Sequence, residues 1–237
     1  MPRQPTTKRP KGSGMRAAYD EIRAKILSLE LSPGKAFDEH ELMSSLKLSR
    51  TPIREALIHL AAEGLVELLP NRAAKVARID LAGVREFFEA LDANQRMVTR
   101  WAALRRSQEE LRRIDDERRN FEEAMANGDV AMMMQTNLAF HHAIANACGN
   151  SLVAKTYAQL LAFGLRLSHI SLVYEEVTPS RRASHHHEIV KDHQDMLGHL
   201  ITGDADAAEE VARVHTVRFK ARVVEFMRTN LAADMKF

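Results

Sequence analysis

The strongest constraint on this chain lies in its last two thirds, where from Asp80 onward every segment reads as helix. Punctuation falls at Ser107, where S-Q-E-E supplies a capping box with Glu110, and at Gly128-Asp129. Further breaks fall at Gly149-Asn150-Ser151, around Thr178-Pro179 and at Gly203-Asp204. Five breaks predict about six helices, enough to close an independent all-helical bundle over residues 79–237. Aromatic residues make up only 5% of the chain while Ala, Leu and Met abound, which favours helix over sheet throughout. Within the bundle, Met132-Met133-Met134 is expected to fill core gaps.

The first third has a different grammar. Residues 1–14 are Pro, Gly, Ser, Thr and basic residues and predict a flexible basic tail, with no apolar stretch of the signal-peptide kind behind it. Tyr19, Ile22, Ile26 and Leu29 then form one helical stripe. After the turn at Ser32-Pro33-Gly34, Asp38 is placed to cap a short helix, 39-EHELMSS. Ser49 is placed to cap the next, whose first turn tolerates Pro52 and whose end near Glu63 is followed by Gly64. Two short strands, 65-LVELL and 74-AKVARI, flank 70-PNRA as a hairpin. Helix, short helix, turn, helix, hairpin is the order of a winged helix-turn-helix over residues 15–78, so the fold class expected is mainly α.

That second helix opens with cations. Arg50 and Arg54 surround Thr51 and Pro52 at the end where the helix macrodipole disfavours positive charge, so an external anion is implied. Residues 1–78 hold 14 Lys and Arg against 9 Asp and Glu, whereas the remainder holds 20 against 23. Only the first part is therefore suited to a polyanion. In a helix-turn-helix the start of the second helix enters the major groove of duplex DNA. Arg50 and Arg54 can pair with guanine edges there, while Ser49 and Thr51 can take phosphate oxygens. The competing reading is a pair of solvated arginines paired with Glu55 and its neighbours.

RTPIREAL, with 31-LSPGKAF before it and 63-EGLVEL plus PNRA after it, closely resembles the DNA-binding domain of the GntR family of bacterial transcription regulators. The resemblance implies wing contacts to DNA from Arg72 and Lys75. It also carries one departure: that wing commonly reads Asn-Arg-Gly, whereas Asn71-Arg72 is followed here by Ala73, which is strained if the tip requires positive φ.

In the bundle the informative residue is histidine. Asn137 and His141 sit at i and i+4 on one helical face. His193 and His215 lie on successive helices, at similar offsets either side of the Gly203-Asp204 turn, so an antiparallel pair brings them to similar depth. Three imidazoles and one oxygen converging in a bundle suit a divalent transition metal (Zn, Ni, Fe or Mn), although by spacing alone a histidine on an apolar face is more often a hydrogen-bonded core residue. The cluster 185-HHH-187 predicts a solvated polar patch in a loop or first turn, with no partner ligand at helical spacing.

F-H-x-x-I-A-x-A-x-G-N, then H-x(9)-G-D-x-x-x-A and a last His, is similar to the FCD domain, the helical effector-binding domain of one branch of GntR regulators. The resemblance implies a metal held by one Asp and three His, and a small carboxylate effector bound with its help. The histidines match His141, His193 and His215, and the Asp position is Asn137, a neutral and weaker ligand. Where the family often has Arg then Glu, this chain has Asp92 and Arg96, a helical pair with exchanged signs. Arg96, Asn150 and Arg166 are the expected effector contacts.

Together these readings predict a homodimeric, metabolite-responsive regulator that binds a palindromic operator in double-stranded DNA and a small organic acid. The resemblance favours a repressor released by its effector. A single cysteine, Cys148, and no apolar run near the roughly 18 residues of a membrane span predict a reducing cytoplasm and no membrane. A helical metalloenzyme is the rival from another class, although it leaves RTPIREAL without a role. A third reading makes the bundle a dimerisation module alone.

Overall fold

A computed structural model of the chain describes residues 13–27, 30–70, 73–78, 81–174 and 179–234. The chain divides into two compact units, Met1–Asp80 and Leu81–Phe237. Residues 1–12 of the expected tail (1–14), Leu29 and Arg72 lie outside the described residues, whereas Ser13 and Gly14, expected in the tail, open the first helix.

The first unit contains α1 (Ser13–Leu27), β1 (Ala36–Asp38), α2 (Glu39–Leu46), α3 (Arg50–Ala62), β2 (Val66–Leu68) and β3 (Ala73–Val76). Ala18, Ile22 and Ile26 of α1 meet Ile53, Ala56, Leu57 and Leu60 of α3 in one core, which Phe37, Val66 and Val76 cover from the strands. Asp38 caps α2 as expected, its carboxylate accepting from the His40 N–H at 2.6 Å. Ser49 occupies the N-cap position of α3 with an extended backbone, but its hydroxyl makes no capping bond, contrary to expectation. The turn between α2 and α3 passes through Lys47 at φ 52, a left-handed position usually given to glycine.

The sheet has one strand more than the sequence suggested, in the antiparallel order β1-β3-β2. Ala36 pairs with Lys75 and Asp38 with Ala73. Three residues with a single inward side chain, Phe37, carry too little alternation to be seen beforehand. Ala73 begins β3, and Lys47 is the one non-glycine residue of positive φ among those described, so alanine after Asn71-Arg72 imposes no left-handed strain.

The second unit is a bundle of α4 (Leu81–Arg105), α5 (Gln108–Asn127), α6 (Val130–Ala147), α7 (Ser151–Tyr174), α8 (Pro179–Thr202) and α9 (Ala205–Asp234). Its boundaries follow the expected signals. Ser107 and Glu110 form the reciprocal capping box, and Gly128 ends α5 at φ 70. Asp129 caps α6 through the Met132 N–H. Gly203, at φ 76, turns the chain between α8 and α9, and Asp204 accepts from the Ala207 N–H at 3.0 Å. Ala102 and Ala103 of α4 share a core with Ala205, Ala208 and Ala212 of α9, joined by Phe140, Ile144 and Met196. Cys148 is fully buried, as are Met133 and nearly Met134, while Met132 faces out. No helix of the described residues is long and apolar enough to cross a membrane.

One close approach gives a stability test. A Cβ added at Gly164 of α7 would lie 2.6 Å from the Phe87 ring of α4. That ring is buried and held against Phe88 and Phe163, at centroid separations of 5.0 and 5.5 Å, so it has little room to yield. Gly164→Ala is expected to cost about 1–3 kcal/mol through overpacking, despite alanine's better helix propensity. Urea unfolding followed by circular dichroism measures it.

Candidate functional site

The first unit presents the start of α3. Thr51 and Arg54 are exposed there, whereas Arg50 is only partly so. The Arg50 Nε lies 3.8 Å from Oε2 of Glu39, and its Nη2 lies 3.3 Å from Nε2 of His40, both on α2. Glu39 is 6% exposed, which makes this more than a chance surface contact. The predicted cationic tip thus divides into an anchored arginine and a projecting one, and the anchoring carboxylate is Glu39 rather than Glu55. Lys75 is engaged too: its Nζ lies 2.8 Å from Oε2 of Glu67, directly opposite on β2.

The second unit brings three predicted ligands together. His141 of α6, His193 of α8 and His215 of α9 each offer a ring nitrogen, all within 4.8 Å of one another. Their ring centroids are 5.2–5.4 Å apart. All three are buried, at 4%, 0% and 8% exposure. Burial first, then the nearby His215, holds His141 and His193 far below the usual imidazole range. Both are therefore neutral near pH 7, the form that donates a lone pair to a metal.

The rings are oriented from behind. His215 Nδ1 lies 3.1 Å from Oδ2 of Asp192, and Asp192 also pairs with Arg218. Burial works to raise the Asp192 pKa, but bonding to His215 and Arg218 prevails and keeps it low. A carboxylate gripping one nitrogen directs the other inward and raises its basicity. His141 Nδ1 lies 3.3 Å from the hydroxyl of fully buried Tyr157. His193 is packed between Phe140 and Phe121, with centroids at 4.2 and 4.8 Å. Neither of its nitrogens has a hydrogen-bond partner among the described residues. Two orphaned polar atoms at zero exposure are costly. That cost argues against an ordinary core histidine and fits a metal ligand.

Beside the triad is a cavity of about 60 Å³. Its polar lining comes from Gln95, Asn137, His141, Ser168, His215 and Arg222, against an apolar side that includes Leu91, Phe121 and Phe219. Asn137 therefore faces the same space as two of the histidines. The other expected effector contacts do not line it. Arg96 pairs with Glu209 of α9 at 2.6 Å and less closely with Asp92 at 3.5 Å. Asn150 caps α7, its Oδ1 accepting from the Leu152 and Val153 N–H groups at 3.1 Å. Arg166 is buried, and desolvation lowers its pKa. Among the described residues, the cation on the cavity wall is Arg222 instead.

The 185–187 cluster also departs from expectation. It lies within α8, and its first member is 4% exposed rather than solvated. Burial, then the charge of Arg222, pushes His185 down to about 2. Sequence reasoning missed Asp192, although its position one residue before His193 turns it about 100° around the helix, towards α9. Gln95 and Arg222 gave no such signal.

Known proteins resemble this chain in both units. Residues 15–76 match the family model described as bacterial regulatory proteins, gntR family, and residues 73–218 match that of the FCD domain. A helix-turn-helix transcriptional regulator of Streptomyces ambofaciens is 48% identical over 71 residues, 30% of each chain. The Uxu operon transcriptional regulator of Escherichia coli K12 is 28% identical, over 86% of this chain and 84% of its own length. The transcriptional repressor RspR of the same organism is 24% identical over 90% of each. Among solved structures, a GntR transcriptional regulator from Rhodococcus sp. RHA1 superposes with a TM-score of 0.68 at 17% identity, covering 90% of this chain and 98% of that one.

Proposed function

The chain belongs to the GntR family and carries an FCD domain, so it is a DNA-binding transcription regulator that responds to an effector and is not an enzyme; from that premise we propose a metal-assisted, homodimeric repressor. The first unit reads a palindromic operator through Ser49, Thr51 and above all Arg54, with Arg50 set against α2. Arg72 and Lys75 add contacts from the wing. The second unit dimerises the protein and senses a small organic acid in the cavity beside the histidines. RspR, a relative named as a repressor, supports the direction of control.

The observation carrying the sensor reading is the pair of orphaned nitrogens on fully buried His193. His141, His193 and His215 would hold a divalent ion, with Asn137 as the oxygen donor. Zinc, nickel, iron and manganese all suit such a set. A bound ion supplies positive charge to attract an anionic effector, and neutral Asn137 leaves that charge less compensated than Asp does. The protein's own part is to exclude water and orient the rings through Asp192 and Tyr157. Ligand binding then shifts the equilibrium between dimer geometries, by no more than its differential affinity for the two.

Fluorescence anisotropy on the protein's own promoter duplex tests this function. Operator affinity is expected to exceed that for random duplex by about 10³ or more, and to fall steeply with salt, the log–log slope being roughly −0.9 per phosphate contacted. Equal affinity for both duplexes, or an affinity indifferent to salt, counts against it.

A further inference from the structure

The outward face of α3 carries an aliphatic side chain that the DNA contacts proposed above leave unused. At roughly 3.6 residues per turn, Ile58 lies about 40° around the helix from Arg54 and about 20° from Thr51. It is 51% exposed, between Arg54 on one flank and Glu55 on the other. Ile53, Ala56, Leu57 and Leu60 form the core on the opposite side of the helix. Single exposed aliphatic residues are common, so position decides what this one means. A β-branched residue on a solvated helix face lowers helix propensity, and at this exposure it adds little packing in return. Any surface that accepts Thr51 and Arg54 also meets Ile58.

The major groove offers one apolar group to such a side chain, the C5 methyl of thymine. Resting on the recognition-helix reading above, we infer that Ile58 reads that methyl and is a specificity-determining residue of the DNA-binding unit. From Arg54 to Ile58 the helix advances about 6 Å, which matches roughly two base-pair steps of about 3.4 Å. Helical side chains lean towards the N-terminus, so the Ile58 methyls reach back to the tip that carries the arginines. The thymine therefore lies about two base pairs from the guanine paired with Arg54. Covering one methyl group gains roughly fourfold in affinity per half-site, or about fifteenfold across two.

The test is a double-mutant cycle on the protein's own operator, located by footprinting, with each half-site thymine replaced in turn by deoxyuridine. Uracil pairs as thymine does and lacks only the methyl group. At one symmetric pair of positions, deoxyuridine is expected to weaken the wild-type full chain about fifteenfold in fluorescence anisotropy, and Ile58→Ala by less than about threefold. The melting temperature of Ile58→Ala is expected to hold or rise, because alanine is the better helix former. Ile58→Gln makes the same comparison should the alanine variant fail to fold. If deoxyuridine is tolerated at every position, or costs both proteins equally, the assignment of Ile58 is overturned and the recognition helix keeps its arginines. If the wild-type protein does not prefer its own promoter to random duplex, the recognition reading itself fails and takes this inference with it.

Discussion

Arg54→Ala is expected to abolish operator recognition while leaving the fold intact. Arg54 is exposed on α3, and no described residue pairs with it. Its guanidinium therefore contributes little to the stability of the first unit, and its charge is available to the major groove. One bidentate arginine–guanine pair discriminates by about 1–3 kcal/mol, so two half-sites of a dimer lose about 2–6 kcal/mol. The expected result is that operator affinity collapses to that for random duplex, with an unchanged melting temperature. Arg50→Ala is expected to behave differently. Removing that side chain leaves the buried Glu39 carboxylate without its cation, so melting temperature falls together with operator affinity. Footprinting and thermal melts of the two variants side by side make the distinction. Full operator protection by Arg54→Ala would remove the recognition helix from the reading mechanism.

The contrast between these two arginines marks where sequence ceased to be informative. Local chemistry was legible. Asp38, Ser107, Asp129 and Gly203 mark their helix ends because a cap or a left-handed residue acts on atoms a few residues away. The histidine triad was legible for a related reason: offsets of ten and eleven residues from one turn fix the depth of His193 and His215 once the helices are antiparallel. What depended on packing was not legible. β1 is held by its register with β3 and has no alternation of its own length to announce it. Lys47 takes a left-handed turn that carries no glycine. Arg96 and Arg166 were the prominent cations of the bundle, yet Glu209 holds one and burial isolates the other from the cavity. Gln95 and Arg222, from α4 and α9, face the pocket only because those helices lie against each other. His185 was misread because α8 begins early enough to turn it inward.

His193→Phe is expected to eliminate metal binding without dismantling the core. The ring stands between Phe121 and Phe140 at zero exposure, so phenylalanine continues the aromatic packing and removes the two unsatisfied nitrogens. If His193 is a core residue only, the change is neutral or stabilising and everything else about the protein is unaltered. If it is a ligand, elemental analysis should fall from about one ion per chain to a trace. The melting temperature should also lose its response to a chelator. The expected size follows from mass action: an ion present at a thousand times its dissociation constant stabilises the native state by about 4 kcal/mol, and the variant forfeits that. Asp192→Asn provides the graded control. It retains all three imidazoles but weakens the grip on His215, so affinity should drop about ten- to a hundredfold while stoichiometry at saturating zinc is preserved. A wild-type protein purified without chelator that holds no ion and gains no stability from added zinc, nickel or manganese would leave the orphaned nitrogens of His193 as an uncompensated cost. The cavity would then have to recognise its acid through Gln95, Asn137 and Arg222 alone.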